Sequence, residues 1–220
     1  MSKTWRHALV ATALGVCTAF VHAAPVTHFG VDHNVSSPNQ MTQSKAAAAL
    51  FDAAVTPNLF TFNGALPAGV TYSRGTVKGV SACGMACGFN TTSGGGHFLE
   101  LWGGVTTFDF TDGIDAFGLF ITGLQSEVAP QQWMVLTYAD LSTETIQLPQ
   151  ARFAGGMFAG FTDVGRKVIS VSIDVGNDIV ALDDLRWRMA APGQAVPEPG
   201  TLALAGLAAL ALGATRRRRA

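Results

Sequence analysis

The chain has 220 residues, of which 48% are hydrophobic and 13% are charged, with 25 glycines and a formal net charge of −1. Apart from its predicted terminal signals there is room for one domain of ordinary size, and short apolar runs between glycines favour strands over long helices. Without the charges of those signals (Lys3, Arg6, Glu198 and Arg216–Arg219), 8 basic and 14 acidic residues remain; this balance, near −6, excludes a basic nucleic-acid-binding surface.

Residues 1–23 are predicted to be a secretory signal peptide. A basic start precedes the apolar segment Ala8–Val21, and small residues follow at the positions that signal peptidase recognises. Cleavage is expected after Ala23, because cleavage after Ala24 would leave a proline at the new N-terminus. The protein is therefore expected to be exported.

Residues 24–58 are predicted to be an N-terminal segment with one short helix over Ser44–Ala54. Ser44 is a suitable N-cap, the alanines that follow favour the helix, and Pro57 prevents its continuation. The polar stretch Thr27–Gln43 before the helix is predicted to be irregular.

From residue 59 the period of the hydrophobic pattern changes to two, which is typical of strands. The predicted strands are Leu59–Phe62, Thr71–Arg74, Phe98–Trp102, Val105–Phe110, Phe117–Thr122, Trp133–Tyr138, Thr145–Leu148, Met157–Phe161, Val168–Val175 and Ile179–Arg188. Turn residues such as Gly103-Gly104 and Asp112-Gly113 separate them. Residues 59–189 are therefore predicted to form a mainly β domain, a jelly-roll-like β-sandwich.

Two cysteines, Cys83 and Cys87, remain after removal of the signal peptide. In an oxidising compartment their four-residue spacing predicts a local disulfide that closes a glycine-rich loop. A zinc site would need four ligands, and no second pair of Cys or His has the required spacing.

No catalytic motif is recognisable, and we assign no catalytic residue and no metal ligand. Asp183 and Asp184 are adjacent on a predicted strand, so their side chains are expected on opposite faces. Only one of them is then able to join Asp174 or Asp178 around a cation, which leaves a structural calcium site open as an alternative.

Three tryptophans, Trp102, Trp133 and Trp187, belong to the predicted domain. An indole ring on an exposed face can stack on a sugar, whereas most tryptophans in such a domain serve as packing residues. The sequence favours packing and keeps carbohydrate binding as the alternative.

Residues 190–200 are predicted to be a linker. It is rich in proline, glycine and alanine, and its prolines favour an extended backbone. It contains a Pro-Glu-Pro motif made of Val196, Pro197, Glu198 and Pro199.

Residues 201–220 are predicted to be a transmembrane helix followed by a basic cluster. Leu202–Ala214 contains only Leu, Ala and Gly and can enter hydrocarbon as a helix. The cluster consists of Arg216, Arg217, Arg218 and Arg219, which by the positive-inside rule keep the chain end on the cytoplasmic side.

The order of a Pro-Glu-Pro motif, an apolar helix and terminal arginines resembles the PEP-CTERM sorting signal. The resemblance covers only about Val196–Ala220 and implies a chain exported by a Gram-negative bacterium. It further implies cleavage near Pro197–Pro199 by an exosortase, a membrane peptidase, after a transient stay in the inner membrane. A plain C-terminal anchor is the alternative, although Leu202–Ala214 spans only about 20 Å of the ~30 Å hydrocarbon core.

The first functional hypothesis is a non-enzymatic protein of the cell surface or extracellular matrix, associated with exopolysaccharide. The second is a secreted carbohydrate-active hydrolase with the same tail, for which a cleft with two carboxylates and aromatic residues is expected. The third is an envelope protein that keeps its tail as a stable anchor.

Overall fold

The computed structural model describes residues 23–93 and 95–191, and within these ranges the chain forms eleven β-strands and one α-helix. In chain order they are β1 (Val26–Asp32), α1 (Thr42–Val55), β2 (Asn58–Phe60), β3 (Val70–Tyr72), β4 (Thr76–Lys78), β5 (Phe98–Trp102), β6 (Val105–Leu124), β7 (Trp133–Tyr138), β8 (Thr143–Gln147), β9 (Gly155–Thr162), β10 (Val168–Asp174) and β11 (Ile179–Met189). The predicted mainly β class with one helix is confirmed.

All described strands join one antiparallel sheet, in which β4-β5-β11-β6-β10-β7-β8 form the main path. β6 organises this sheet because its two parts have different neighbours. Its first part pairs with β3 and β10, and its second part pairs with β9 and β11. β1 adds to β9, and β2 adds to the end of β11.

A bulge in β6 explains how one sheet surrounds one core. Phe108 and Phe110 face the core before the bulge, whereas the odd-numbered Phe117 and Leu119 face it afterwards, so the alternation changes phase between them. The register against β10 shifts in this interval, and Gly113 has φ +70°, as a glycine bulge requires. The strand thus bends without ending. The two predicted strands, Val105–Phe110 and Phe117–Thr122, both lie within β6, and only the turn predicted between them was wrong.

The bulge also changes the predicted arrangement of sheets. A sandwich has two separate sheets, whereas the hydrogen bonds of the described strands connect both halves through β6. Buried side chains of both halves nevertheless pack into one hydrophobic cluster, which includes Phe108, Leu136, Phe161 and Leu182. The result is a single sheet folded over one core.

The N-terminal segment is part of this domain. β1 pairs along its whole length with β9, so the irregular structure predicted for Thr27–Gln43 was wrong for the part that lies in β1, whereas the residues between β1 and α1 contain only bends and one short 3-10 helix. The short alternating pattern of β1 was hidden by His28 and Gly30, which are unusual in predicted strands.

Helix α1 is capped by a residue distant in sequence. The carboxylate of Asp32 accepts hydrogen bonds from the backbone N–H groups of Gln43 (3.0 Å) and Ser44 (2.8 Å). Ser44 therefore lies in the first turn and is not the N-cap predicted; its hydroxyl also donates to Asp32, at 2.6 Å. At the other end Thr56 has a left-handed backbone, with φ +49°, and Pro57 follows.

α1 packs on the face of the sheet that points away from the main core. Phe51 and Val55 contact a second cluster of buried residues that includes Phe120 of β6 and Phe158 of β9. Arg186 of β11 adds an ion pair to Asp52 of the helix, with a distance of 3.0 Å between Nε and Oδ1. The second part of β6 is thus covered on both faces, which explains its continuous burial.

We expect Asp32→Ala to lower the free energy of unfolding by about 1–2 kcal/mol, because two N–H groups of the first turn lose their acceptor. Asp109→Ala is the matched control, since Asp109 is an exposed carboxylate on β6. Chemical denaturation of both variants measures the difference. Equal stabilities of the two variants would contradict the capping role of Asp32.

The predicted transmembrane helix at 201–220 and most of the predicted signal peptide lie outside the described residues. Within the described ranges, no helix has the length and apolar character needed to cross a bilayer.

Candidate functional site

Trp102 is the tryptophan that the fold presents to solvent. It ends β5 immediately before the Gly103-Gly104 turn into β6, and 55% of its surface is exposed. Trp187, in contrast, is only 5% exposed and packs in the main core, and Trp133 is half-buried in β7. Among the tryptophans in the described ranges, Trp102 is therefore the one whose ring is available to a ligand.

A buried carboxylate holds the exposed ring of Trp102. The indole Nε1–H donates to Oε2 of Glu100 at 2.8 Å, and Glu100 itself is almost completely buried. Glu100 also accepts from Lys78 Nζ (2.6 Å), Ser81 Oγ (3.0 Å) and the backbone N–H of Ala82 (2.8 Å). Burial alone would raise the pKa of Glu100, but these donors outweigh it and lower the pKa to about 2.

We expect Glu100→Gln to lower the free energy of unfolding by about 2 kcal/mol at neutral pH, because the neutral amide loses charge-assisted hydrogen bonds. The folded-state pKa of Glu100 lies below its ordinary value of 4.5, so this contribution is complete above about pH 4.5 and is lost as the pH falls toward 2. Urea denaturation of wild type and variant from pH 2 to 7 measures it. A stability difference that does not shrink below pH 4.5 would contradict this assignment.

A surface groove of about 390 Å³ lies beside Trp102. Its lining includes Arg74, after β3, and Asn177, in the turn between β10 and β11. Arg74 Nη2 donates to the backbone oxygen of Trp102 at 3.0 Å, and Arg74 forms no ion pair with a carboxylate of the described residues. The groove thus places an aromatic face, a guanidinium and an amide next to one another.

Backbone hydrogen bonds between two turns form the floor of the groove. The N–H of Gly103 donates to the oxygen of Asp178 at 2.8 Å, and the N–H of Gly104 donates to Gly176. These bonds join the turn after β5 to the turn before β11. The position of Asn177 relative to Trp102 is therefore fixed by backbone contacts.

Asp183 and Asp184 do not point to opposite faces as predicted. Asp184 has φ +51°, and the register of β11 against β6 shifts after Asp183, so both carboxylates reach the same loop. Asp183 Oδ2 accepts from the N–H and the hydroxyl of Thr91, at 2.7 and 2.9 Å, and Thr92 donates to Asp184. The hydrogen bonds of Asp183 and Asp184 thus connect this loop to β11. Burial, and in second place the charge of Asp184, raises the pKa of Asp183 to about 6.

Asp174 and Asp178, the other acids considered for a cation, have separate roles in turns. Asp174 accepts from the N–H of Gly176 at 2.8 Å, and Asp178 accepts from the N–H of Gln125 at 2.6 Å. Burial raises the pKa of Asp178 to about 6. In residues 23–93 and 95–191 no group of three or more His, Cys, Asp or Glu side chains is placed to share a metal ion.

Cys83 and Cys87 are at disulfide distance, with their Cα atoms 5.6 Å apart. Cys83 precedes a one-turn 3-10 helix, Gly84–Cys87, and Cys87 is its last residue. Gly88 then passes so close to the sheet that a Cβ atom would lie 2.5 Å from the backbone nitrogen of Ala181. The disulfide therefore shapes a loop that crosses β6 and β11 in close contact.

The predicted processing residues lie at or beyond the limits of the described structure. Ala23 and Ala24 are exposed and precede β1, and cleavage after Ala23 stays a prediction. The motif Val196–Pro199 and the arginines 216–219 lie outside the described residues.

The described part of the chain thus defines a mainly β domain with an exposed aromatic groove. The C-terminal tail matches a known protein family: the family model for the PEP-CTERM protein-sorting motif matches residues 195–219. The chain is a PEP-CTERM domain-containing protein. The motif supports exosortase-dependent sorting of an exported protein, made in Gram-negative bacteria as a membrane-anchored precursor. No match to a curated protein was found.

Proposed function

We propose that the chain is a non-enzymatic protein of the cell surface or extracellular matrix, associated with exopolysaccharide. In this proposal signal peptidase removes residues 1–23 and an exosortase cuts near Pro197–Pro199 in the inner membrane. The single folded sheet then serves as the exported ectodomain. The observation that carries the proposal is the sorting motif at 195–219.

The lining of the groove supports a binding role over hydrolysis. A glycosidase needs two carboxylates on either side of the scissile bond. The residues that line the groove are Arg74, Trp102, Gly103, Gly104, Gly176, Asn177 and Ile179, and no carboxylate is among them. The nearby acid Glu100 is buried and already engaged by four donors, so it is poorly suited to protonate a glycosidic oxygen.

Sorting is tested by changing the motif in the native host. We expect simultaneous replacement of Pro197, Glu198 and Pro199 by alanine to hold the chain in the membrane fraction, while Gln194→Ala, just before the motif, is released like wild type. Fractionation and immunoblotting measure the distribution. Release of the motif variant at the wild-type level would favour a route independent of exosortase.

Association with exopolysaccharide is tested by sedimentation of the purified chain with extracellular polysaccharide from the native host. We expect co-sedimentation without release of reducing ends. Steady release of reducing ends by the native chain, and not by the heat-denatured chain, would favour the hydrolase alternative. Absence of co-sedimentation would remove the polysaccharide association and leave the sorting assignment unaffected.

A further inference from the structure

We propose that the groove beside Trp102 binds a polysaccharide that carries carboxylate groups, with a uronate residue stacked on the indole and its carboxylate on Arg74. The proposal rests on the association with exopolysaccharide and adds the binding site and the ligand class. Three features of the groove carry it: a fixed aromatic face, a cation without a carboxylate partner among the described residues, and an exposed amide on a turn that backbone contacts hold in place.

The aromatic face is fixed before a ligand arrives. An exposed tryptophan normally changes rotamer freely, and ordering it on binding costs free energy. Here the hydrogen bond to Glu100 sets the ring orientation, and Glu100 is itself held by Lys78, Ser81 and Ala82. This arrangement is a preorganised platform for the apolar face of a pyranose ring.

The cation selects the charge of the ligand. Arg74 uses Nη2 to donate to the backbone of Trp102, which positions the guanidinium at the rim of the platform. Its remaining N–H groups suit the planar, two-oxygen geometry of a carboxylate. A neutral sugar that stacked on Trp102 would leave this charge unused.

The amide of Asn177 completes the groove. It is exposed, and the turn that carries it is hydrogen-bonded to the Gly103-Gly104 turn. A side-chain amide both donates and accepts, as sugar hydroxyls require. Stacking, charge pairing and hydroxyl recognition thus meet in one groove of about 390 Å³.

The affinity for a charged ligand is expected to depend on salt concentration. The predicted mature region has 8 basic and 14 acidic residues, so its net charge repels an anionic polymer at long range. Binding then depends on local contact with Arg74. We expect rising NaCl to lower the affinity of wild type for a uronate relative to that of Arg74→Gln, because salt screens the contact with Arg74, and affinity for a neutral sugar to stay constant.

The experiment is isothermal titration of the full chain, purified in detergent, with tetragalacturonate and with the neutral sugar maltotetraose. We expect measurable binding of tetragalacturonate and clearly weaker binding of maltotetraose. Trp102→Ala and Arg74→Gln are each expected to weaken binding of tetragalacturonate by about tenfold. Arg74→Lys is expected to be intermediate, because it keeps the charge and loses the paired donors.

Arg152→Gln is the matched control. It removes the same charge from an exposed arginine that does not line the groove, and we expect its affinity to equal that of wild type. Arg74 is also exposed, so its replacement tests the site even if Trp102→Ala disturbs the packing of Glu100. Thermal unfolding of every variant verifies the fold.

Three results would overturn the proposal. Wild-type affinity for tetragalacturonate in both groove variants would place any polysaccharide site elsewhere. Equal affinity for the neutral sugar would remove the role of Arg74. No binding of tetragalacturonate by a folded chain would contradict the assignment of a carboxylate-bearing polysaccharide as the ligand. In each case, co-sedimentation with the host polysaccharide tests the proposed function separately.

Discussion

Phe158→Ala is expected to lower the free energy of unfolding by about 3–5 kcal/mol, a large part of the stability of an ordinary domain. Phe158 is fully buried on β9, between α1 and the sheet. Its ring lies 5.5 Å from that of Phe51 and 5.4 Å from that of Phe120, measured between centroids. Removal of the ring leaves a cavity where the helix meets the sheet, and denaturant unfolding followed by circular dichroism measures the loss.

Phe153→Ala is the control for this substitution. Phe153 is 64% exposed in the loop before β9, so the same chemical change removes almost no buried surface. We expect its stability to lie within about 0.5 kcal/mol of wild type. A loss at Phe158 no greater than the loss at Phe153 would contradict the packing of α1 on the sheet.

Asp183→Ala is expected to lower the free energy of unfolding by about 2–3 kcal/mol. The two oxygens of Asp183 accept from the backbone N–H groups of Thr91 (2.7 Å) and Asp184 (2.7 Å), and both donors would remain buried without an acceptor. The raised pKa of Asp183 shows that its ionised form already carries a burial cost, which the substitution relieves in part. Differential scanning calorimetry at neutral pH measures the net effect.

Asp140→Ala provides the comparison, since Asp140 is an exposed turn residue that accepts only from Ser142. We expect its stability to differ from wild type by at most about 0.5 kcal/mol. If Asp183→Ala were as stable as Asp140→Ala, the free energy lost by burying the charge of Asp183 would equal the free energy gained from its hydrogen bonds. Asp183 would then make no net contribution to holding the loop at Thr91.

The pattern of hydrophobic residues predicts most strands but not the way they join. Alternation in Val168–Asp174 and Trp133–Tyr138 indicates β10 and β7, because side chains on opposite faces meet different environments. The Asp112-Gly113 pair has the composition of a turn, yet it forms a bulge inside β6. Composition alone does not distinguish these outcomes, since both need a glycine with positive φ.

Long-range contacts were also beyond prediction. The carboxylate that caps the first turn of α1 belongs to Asp32, at the end of β1, and sequence rules examine only the residues next to a helix. The same limit applies to Asp183 and Asp184, whose common direction depends on a positive φ at Asp184. The alternation of side chains along a regular strand predicts instead that the two carboxylates point to opposite faces.

Of the residues in the candidate site, the sequence indicated a binding role, as the alternative to packing, only for Trp102. A tryptophan directly before Gly103-Gly104 is a visible pattern, and stacking on a sugar was one of its two interpretations. Arg74 and Asn177 come from two other parts of the chain, and the pairing of strands brings them to Trp102. Glu100 is two residues before Trp102 on β5, which is the one local indication of their contact.

The intact mass of the protein recovered from its native host tests the sorting assignment most directly. We predict a chain that begins at Ala24, ends between Pro197 and Pro199, and contains an oxidised Cys83–Cys87 pair. A chain that still ends at Ala220 would contradict cleavage by an exosortase and would identify the tail as a plain membrane anchor.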